Sequence, residues 1–149
     1  MDNLISLMKK TDKVKIIGIG TDIEFSIKDI KVEKYFGTYN LPDGEVATAP
    51  VKNSINGYIT YNTKSVYNGI EFENIKLIFK DGKIIDCDCN NKEALENILN
   101  TDEGARYVGE FALGLNPYIT HTMSDVLFDE KVYGSFCPDL QHLSALYFR

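Results

Sequence analysis

Four dipeptides, Asp43-Gly44, Asn56-Gly57, Asn68-Gly69 and Asp81-Gly82, cut the middle of the chain into short runs rich in β-branched and aromatic residues, among them YITYN, IEFENIKLIF and KIIDC. Such pairs tolerate the positive φ that tight hairpin turns require, so the pattern reads as a series of antiparallel strands. The clearest case is LIFKDGKIID, a hairpin about Asp81-Gly82. Upstream, KVKIIGIG (13–20) and DIEFSI (22–27) read as two strands joined around Gly20-Thr21-Asp22, with Ile23, Phe25 and Ile27 on one face. The period changes at two places. NLISLMKK is expected to be a short helix ending in cations, and NKEALENILN (91–100) sets Ala94, Leu95, Ile98 and Leu99 on one helical face with Asn90 or Asn91 as cap. Thr101–Gly104 is expected to begin another short turn of helix, with Arg106 placed to pair with an acid. The fold class is therefore α+β: a strand-rich mixed sheet of several hairpins with two or three short helices. The chain lacks the repeated strand-helix alternation of a doubly wound sheet.

At 149 residues and 44% hydrophobic content the chain supports one core and is short for two. A formal charge of −6, with lysines interleaved among acids, argues against a nucleic-acid partner. No apolar run approaches the ~20 residues needed to cross a bilayer. The start, MDNLISLMKK, lacks the basic-then-apolar order of a signal peptide, and a cytoplasmic location with no membrane partner is expected. Three cysteines without framework spacing fit a chain that forms no disulfides.

Two carboxylates stand out by their setting. Glu45 directly follows Asp43-Gly44 and opens a strand, and Glu110 follows Gly109 in RYVGEFALG. Carboxylates on rigid supports are suitable ligands for hard or borderline cations, which makes Glu45 and Glu110 candidate metal ligands. Asp129 and Glu130 read as strand neighbours pointing to opposite faces, suited to hairpin or salt-bridge roles. His121 reads as a loop histidine bonded locally.

Several blocks, GTDIEFSI, NLPDGEVATAP, SINGYITYN, TDEGARYVGEFALG and LFDEK (127–131), follow one another in an order and spacing that resembles the C-terminal catalytic domain of the thermophilic-aminopeptidase family of metallopeptidases. The resemblance covers nearly all of residues 1–136. It implies a dinuclear site of zinc or cobalt that removes N-terminal residues from peptides, with Glu45 and Glu110 as two of the ligands and a dimeric parent enzyme. It also implies that a histidine ligand follows the Gly-Ser pair and that a His-x-Asp pair completes the site.

The chain departs from that pattern after Phe136. Cys137 stands where the family's histidine is expected, His142 falls five residues later, and no His-x-Asp pair occurs. The chain therefore reads as a partial catalytic domain (1–136) with a non-family-like tail (137–149), inactive by itself and holding fewer ions than the family, or none. The alternative is a small non-catalytic domain that recruits a partner or a second copy through an uncovered sheet edge. A ring-opening oxygenase site would need a facial set of histidine and carboxylate ligands, for which two histidines are too few.

Overall fold

The computed structural model describes residues 1–38, 40–139 and 146–147. Its elements in chain order are α1 (Asp2–Met8), β1 (Lys13–Gly18), β2 (Thr21–Ser26), β3 (Glu33–Tyr35), β4 (Glu45–Thr48), β5 (Asn56–Thr60), β6 (Ser65–Tyr67), β7 (Ile70–Phe72), β8 (Lys76–Lys80), β9 (Lys83–Asp88), α2 (Lys92–Leu99), β10 (Glu110–Gly114), α3 (Val126–Asp129), β11 (Ser135–Asp139) and β12 (Leu146–Tyr147). The α+β, strand-rich class holds. The strands form two five-stranded sheets, β1-β2-β5-β8-β9 and β12-β11-β10-β4-β3, and the separate ribbon β6-β7. Every strand pairing among the described residues is antiparallel, so the sheets are not mixed; the one parallel contact is an isolated bridge between Asn116 and Val132.

Two of the four turn dipeptides close hairpins. Asn68-Gly69 joins β6 to β7 and Asp81-Gly82 joins β8 to β9, all four residues with positive φ. Asn56-Gly57 instead lies inside β5. There the glycine answers to crowding: a Cβ on Gly57 would stand 2.1 Å from the Asp22 carbonyl oxygen of the neighbouring strand. Asp43-Gly44 ends a longer loop between β3 and β4. Its order comes from the Asp43 carboxylate, which accepts from the amides of Gly37 (2.7 Å) and Gly44 (2.9 Å).

The core lies between the two large sheets. Ile23, Phe25, Ile59, Leu77, Phe79 and Ile84 face Val46, Phe111 and Phe136 across it. Phe25 and Phe111 meet edge to face with ring centroids 4.9 Å apart, a contact that ties β2 to β10. α2 adds Leu95 and Leu99, and the Asn91 side chain caps it by accepting from the Ala94 amide at 3.2 Å. Thr101–Gly104 is not helical. α2 has already ended at Leu99, and the Asp102 carboxylate accepts from the amides of Gly104 and Ala105 in an Asx turn. Arg106 does pair, donating to Glu96 and to Asn100 Oδ1 (2.9 Å) while reaching the Ile84 carbonyl (3.2 Å).

Candidate metal centre

Strand alternation gives the second sheet two unlike faces. Val46, Phe111 and Phe136 point into the core. The register pairs Ala47 with Ala112 and Ala112 with Cys137, while Glu45 lies opposite Gly114 and Tyr35 opposite Glu45. Glu45, Ala47, Glu110, Ala112 and Cys137 therefore share the other face, where Ala47, Ala112 and Cys137 form their own small buried cluster with Tyr35 against it. The two alanines are the floor of a trough. Longer side chains there would block it; methyl groups leave room for Glu45 and Glu110 to lean toward each other.

The roof of this face is the segment between β10 and β11. Gly114 makes it possible, since a Cβ there would stand 2.2 Å from the Val132 carbonyl oxygen, 2.3 Å from Ser135 Oγ and 2.8 Å from the Glu130 carbonyl oxygen. The backbone of 130–132 thus lies directly over the glycine that pairs with Glu45. The Asn116 amide donates to the Lys131 carbonyl (3.2 Å), and Gly134 N–H to the Gly114 carbonyl (3.0 Å). On the entry side, Asn116 Nδ2 donates to the Asp43 carbonyl at 2.6 Å, tying the roof to the loop that delivers Glu45.

Glu45, Glu110 and Glu130 meet in this setting, each with a carboxylate oxygen within 4.8 Å of the others. Lys131, fully buried, puts its ammonium 3.1 Å from Glu45 Oε1 and also bonds Glu130. Two of the three carboxylates thus bond one ammonium. Glu45 is itself 3% exposed, and its second oxygen, Oε2, is buried without a hydrogen-bond partner. Burial above all, and then the charge of Glu130, push the Glu45 carboxyl up to about 7 against the opposing pull of Lys131. Burial likewise raises Glu130, with Lys131 opposing. Lys131 loses by burial but gains more from its two acids, and its ammonium is held above the ordinary lysine value. Burial, then Glu33, Glu110 and Glu45, raise the Tyr35 phenol. Beside Glu110 a cleft of about 250 Å³ opens, lined by Glu33, Tyr35, Ala47 and Gly109 among others.

The sequence pattern names Glu45 and Glu110 as ligands and gives Glu130 a hairpin or salt-bridge role, whereas the structure brings all three together. Asp129 and Glu130 are not strand neighbours: Asp129 ends α3 and Glu130 lies in the following turn, so strand alternation does not apply. The salt bridge anticipated for the pair is present at Glu130. Asp129 is buried apart from the cluster, its Oδ1 accepting from the Met123 amide at 2.7 Å. Lys131 closes an Asp-Glu-Lys run that leads into a Gly-Ser pair, and no local pattern marks it as a partner of Glu45. His121 is exposed and is not part of the acid cluster; His142 lies outside the described residues. Cys137 and Pro138 are buried in β11, which runs without a break through the position where the sequence resemblance ends.

The comparison with known proteins places this strand-rich domain and its buried acid cluster in a family. The family model of thermophilic metalloprotease (M29) matches residues 7–137, and the chain belongs to that family. It is 43% identical over 76 residues to Aminopeptidase 2 of Geobacillus stearothermophilus, a stretch that spans 50% of this chain and 18% of that protein. The structure of wild-type AmpT from Thermus thermophilus superposes with a TM-score of 0.79 at 25% identity, covering 91% of this chain and 38% of the other. The chain thus spans well under half the length of these relatives. A 2,5-dihydroxypyridine dioxygenase from Pseudomonas putida shares the fold at a TM-score of 0.69 and 16% identity, over 89% of this chain and 45% of its own.

Proposed function

We propose that this chain carries part of the catalytic domain of an aminopeptidase and that Glu45 and Glu110 bind a divalent cation, zinc or cobalt. The observation that carries the reading is Glu45 Oε2, a buried carboxylate oxygen without a partner beside two further carboxylates. Such an oxygen is costly to leave unmet, and a cation satisfies it. With its acids ionised the cluster has two negative charges beyond what Lys131 neutralises, enough for one divalent ion. The oxygen-only donor set suits such a cation without selecting sharply among metals.

A bound ion supplies Lewis acidity toward a peptide carbonyl and acidifies its water. The chain's own residues supply the rest. Ala47 and Ala112 keep the trough open, the 115–134 segment excludes water from one side, and the cleft at Glu110 receives the amino-terminal residue of a peptide substrate. That cleft falls below the ~300–1,000 Å³ of pockets for drug-sized ligands, in keeping with one residue rather than a long segment.

Two ions held open for substrate need more protein ligands than these carboxylates. Among the described residues the only histidine, His121, is not part of the cluster. We therefore read residues 1–136 as the family-like portion and 137–149 as distinct from it, and expect the chain alone to bind one ion and not to turn over. Equilibrium dialysis against Co²⁺ should give about one equivalent by this charge balance, lost in Glu45→Gln and in Glu110→Gln. Leucyl-p-nitroanilide with added Co²⁺ should show no release above buffer. Turnover that Glu45→Ala abolishes would contradict the inactive reading, and absence of any bound Co²⁺ would contradict the site.

A further inference from the structure

We propose that Lys131 is a positioning residue of this metal site: its ammonium, anchored on Glu130, grips Glu45 Oε1 so that Oε2 is presented to the cation. The inference rests on the reading of Glu45 as a ligand. Its geometry is independent of any ion. Lys131 is 0% exposed, and both acids it touches are largely buried, at 5% and 12% side-chain exposure. A buried ammonium with no anion is strongly disfavoured, so its location is fixed by those acids.

The main chain fixes it as well. The Asn116 amide holds the Lys131 carbonyl, Ser135 Oγ donates to the Glu130 carbonyl at 3.3 Å, and the backbone of 130–132 rests on Gly114, the cross-strand partner of Glu45. The lysine thus reaches Glu45 from a rigid base. Glu45 has three side-chain torsions, and an ion would otherwise have to freeze them at its own cost. With Oε1 already held, the position of Oε2, buried and without a hydrogen-bond partner, is set before the ion arrives. Outer partners that orient a metal's ligands act in this way.

Charge and geometry make opposite demands here, which gives the test its edge. As a bare positive charge Lys131 repels a cation, and its removal should tighten binding. As a clamp its removal should loosen binding. Using the full chain with Co²⁺ as the probe in equilibrium dialysis, Lys131→Met is expected to weaken binding by ~10–100-fold, the usual loss when a ligand's outer partner is removed. Glu130→Gln should weaken it less. The double variant should lose no more than Lys131→Met alone, because the two residues act as one unit.

Equal or tighter binding by a folded Lys131→Met overturns the proposal, and so does a double variant whose loss is the product of the two single losses, since Glu130 would then bind the ion directly. Should circular dichroism show Lys131→Met to be unfolded, Lys131→Arg decides, since it keeps the buried charge but moves its donors: weaker binding supports the clamp and unchanged or tighter binding overturns it. Wild-type protein that binds no Co²⁺ removes the site itself, and the proposal with it. Binding abolished by Glu45→Gln but untouched in Lys131→Met removes the clamp alone.

Discussion

Gly114 shows how one missing side chain arranges a site. It pairs with Glu45, and its bare Cα lets the 130–132 backbone descend until Lys131 meets that carboxylate. Gly114→Ala places a methyl 2.2 Å from a carbonyl oxygen, and the conflict is with backbone, which cannot swing aside. We expect a loss of ~1–3 kcal/mol from overpacking, read as a lower urea midpoint, with weaker Co²⁺ binding in the protein that remains folded. Stability and metal affinity equal to wild type would show that the roof does not depend on this glycine. Nothing local marks Gly114 in the sequence, because its constraint comes from a segment 16 to 18 residues later. Glu45 and Glu110 were legible because each sits beside a glycine at a strand start. Glu130 was not, since its role depends on how a turn folds over a sheet.

Periodicity gave the elements well and the turns less well. The alternation of Ile23, Phe25 and Ile27 and the helical stripe of α2 both report a single burying face, which a short window of sequence contains. Dipeptides such as Asn-Gly carry two meanings, and Asn56-Gly57 carries the other one: room for a neighbouring strand rather than a reversal of the chain. Arg106 illustrates how an irregular segment is secured after helix signals end. It links α2, through Glu96 and Asn100, to the Ile84 carbonyl of β9. The hydrogen bond from Arg106 is the leading cause that holds the Glu96 carboxyl below its ordinary value. A carboxyl lowered in the folded state stabilises above its unfolded pKa and stops doing so as pH falls through the folded one. Arg106→Gln should therefore cost ~1–2 kcal/mol at pH 7, and the gap from wild type should narrow as pH falls below the ordinary value of 4.5. Urea titrations of both proteins across that range test this; a gap that stays constant in acid would assign the loss to packing of the arginine stem.

At the scale of the molecule, two five-stranded sheets enclose one core, and among the described residues the acid cluster lies on the far face of the second. The first sheet ends at β1, an edge whose backbone groups on one side have no strand partner among the described residues. Edge strands are usually guarded by charge. Here Lys13 and Lys15 are exposed along the first half of β1, but Ile17 is 71% exposed and Ile19, in the turn beyond, fully so. An edge with apolar residues at its unguarded end can pair with a second copy in antiparallel register, which would bring the two isoleucine ends together or set each against the other's lysines. We propose this strand as a contact for the homo-oligomer that the family resemblance implies. Sedimentation velocity should show a species larger than the monomer at high micromolar concentration, and Ile17→Lys with Ile19→Lys should return it to monomer with Co²⁺ binding unchanged, because the carboxylate trough lies on the other sheet. A monomer at every concentration would reject the route, and an oligomer indifferent to both lysines would move the contact to a different surface.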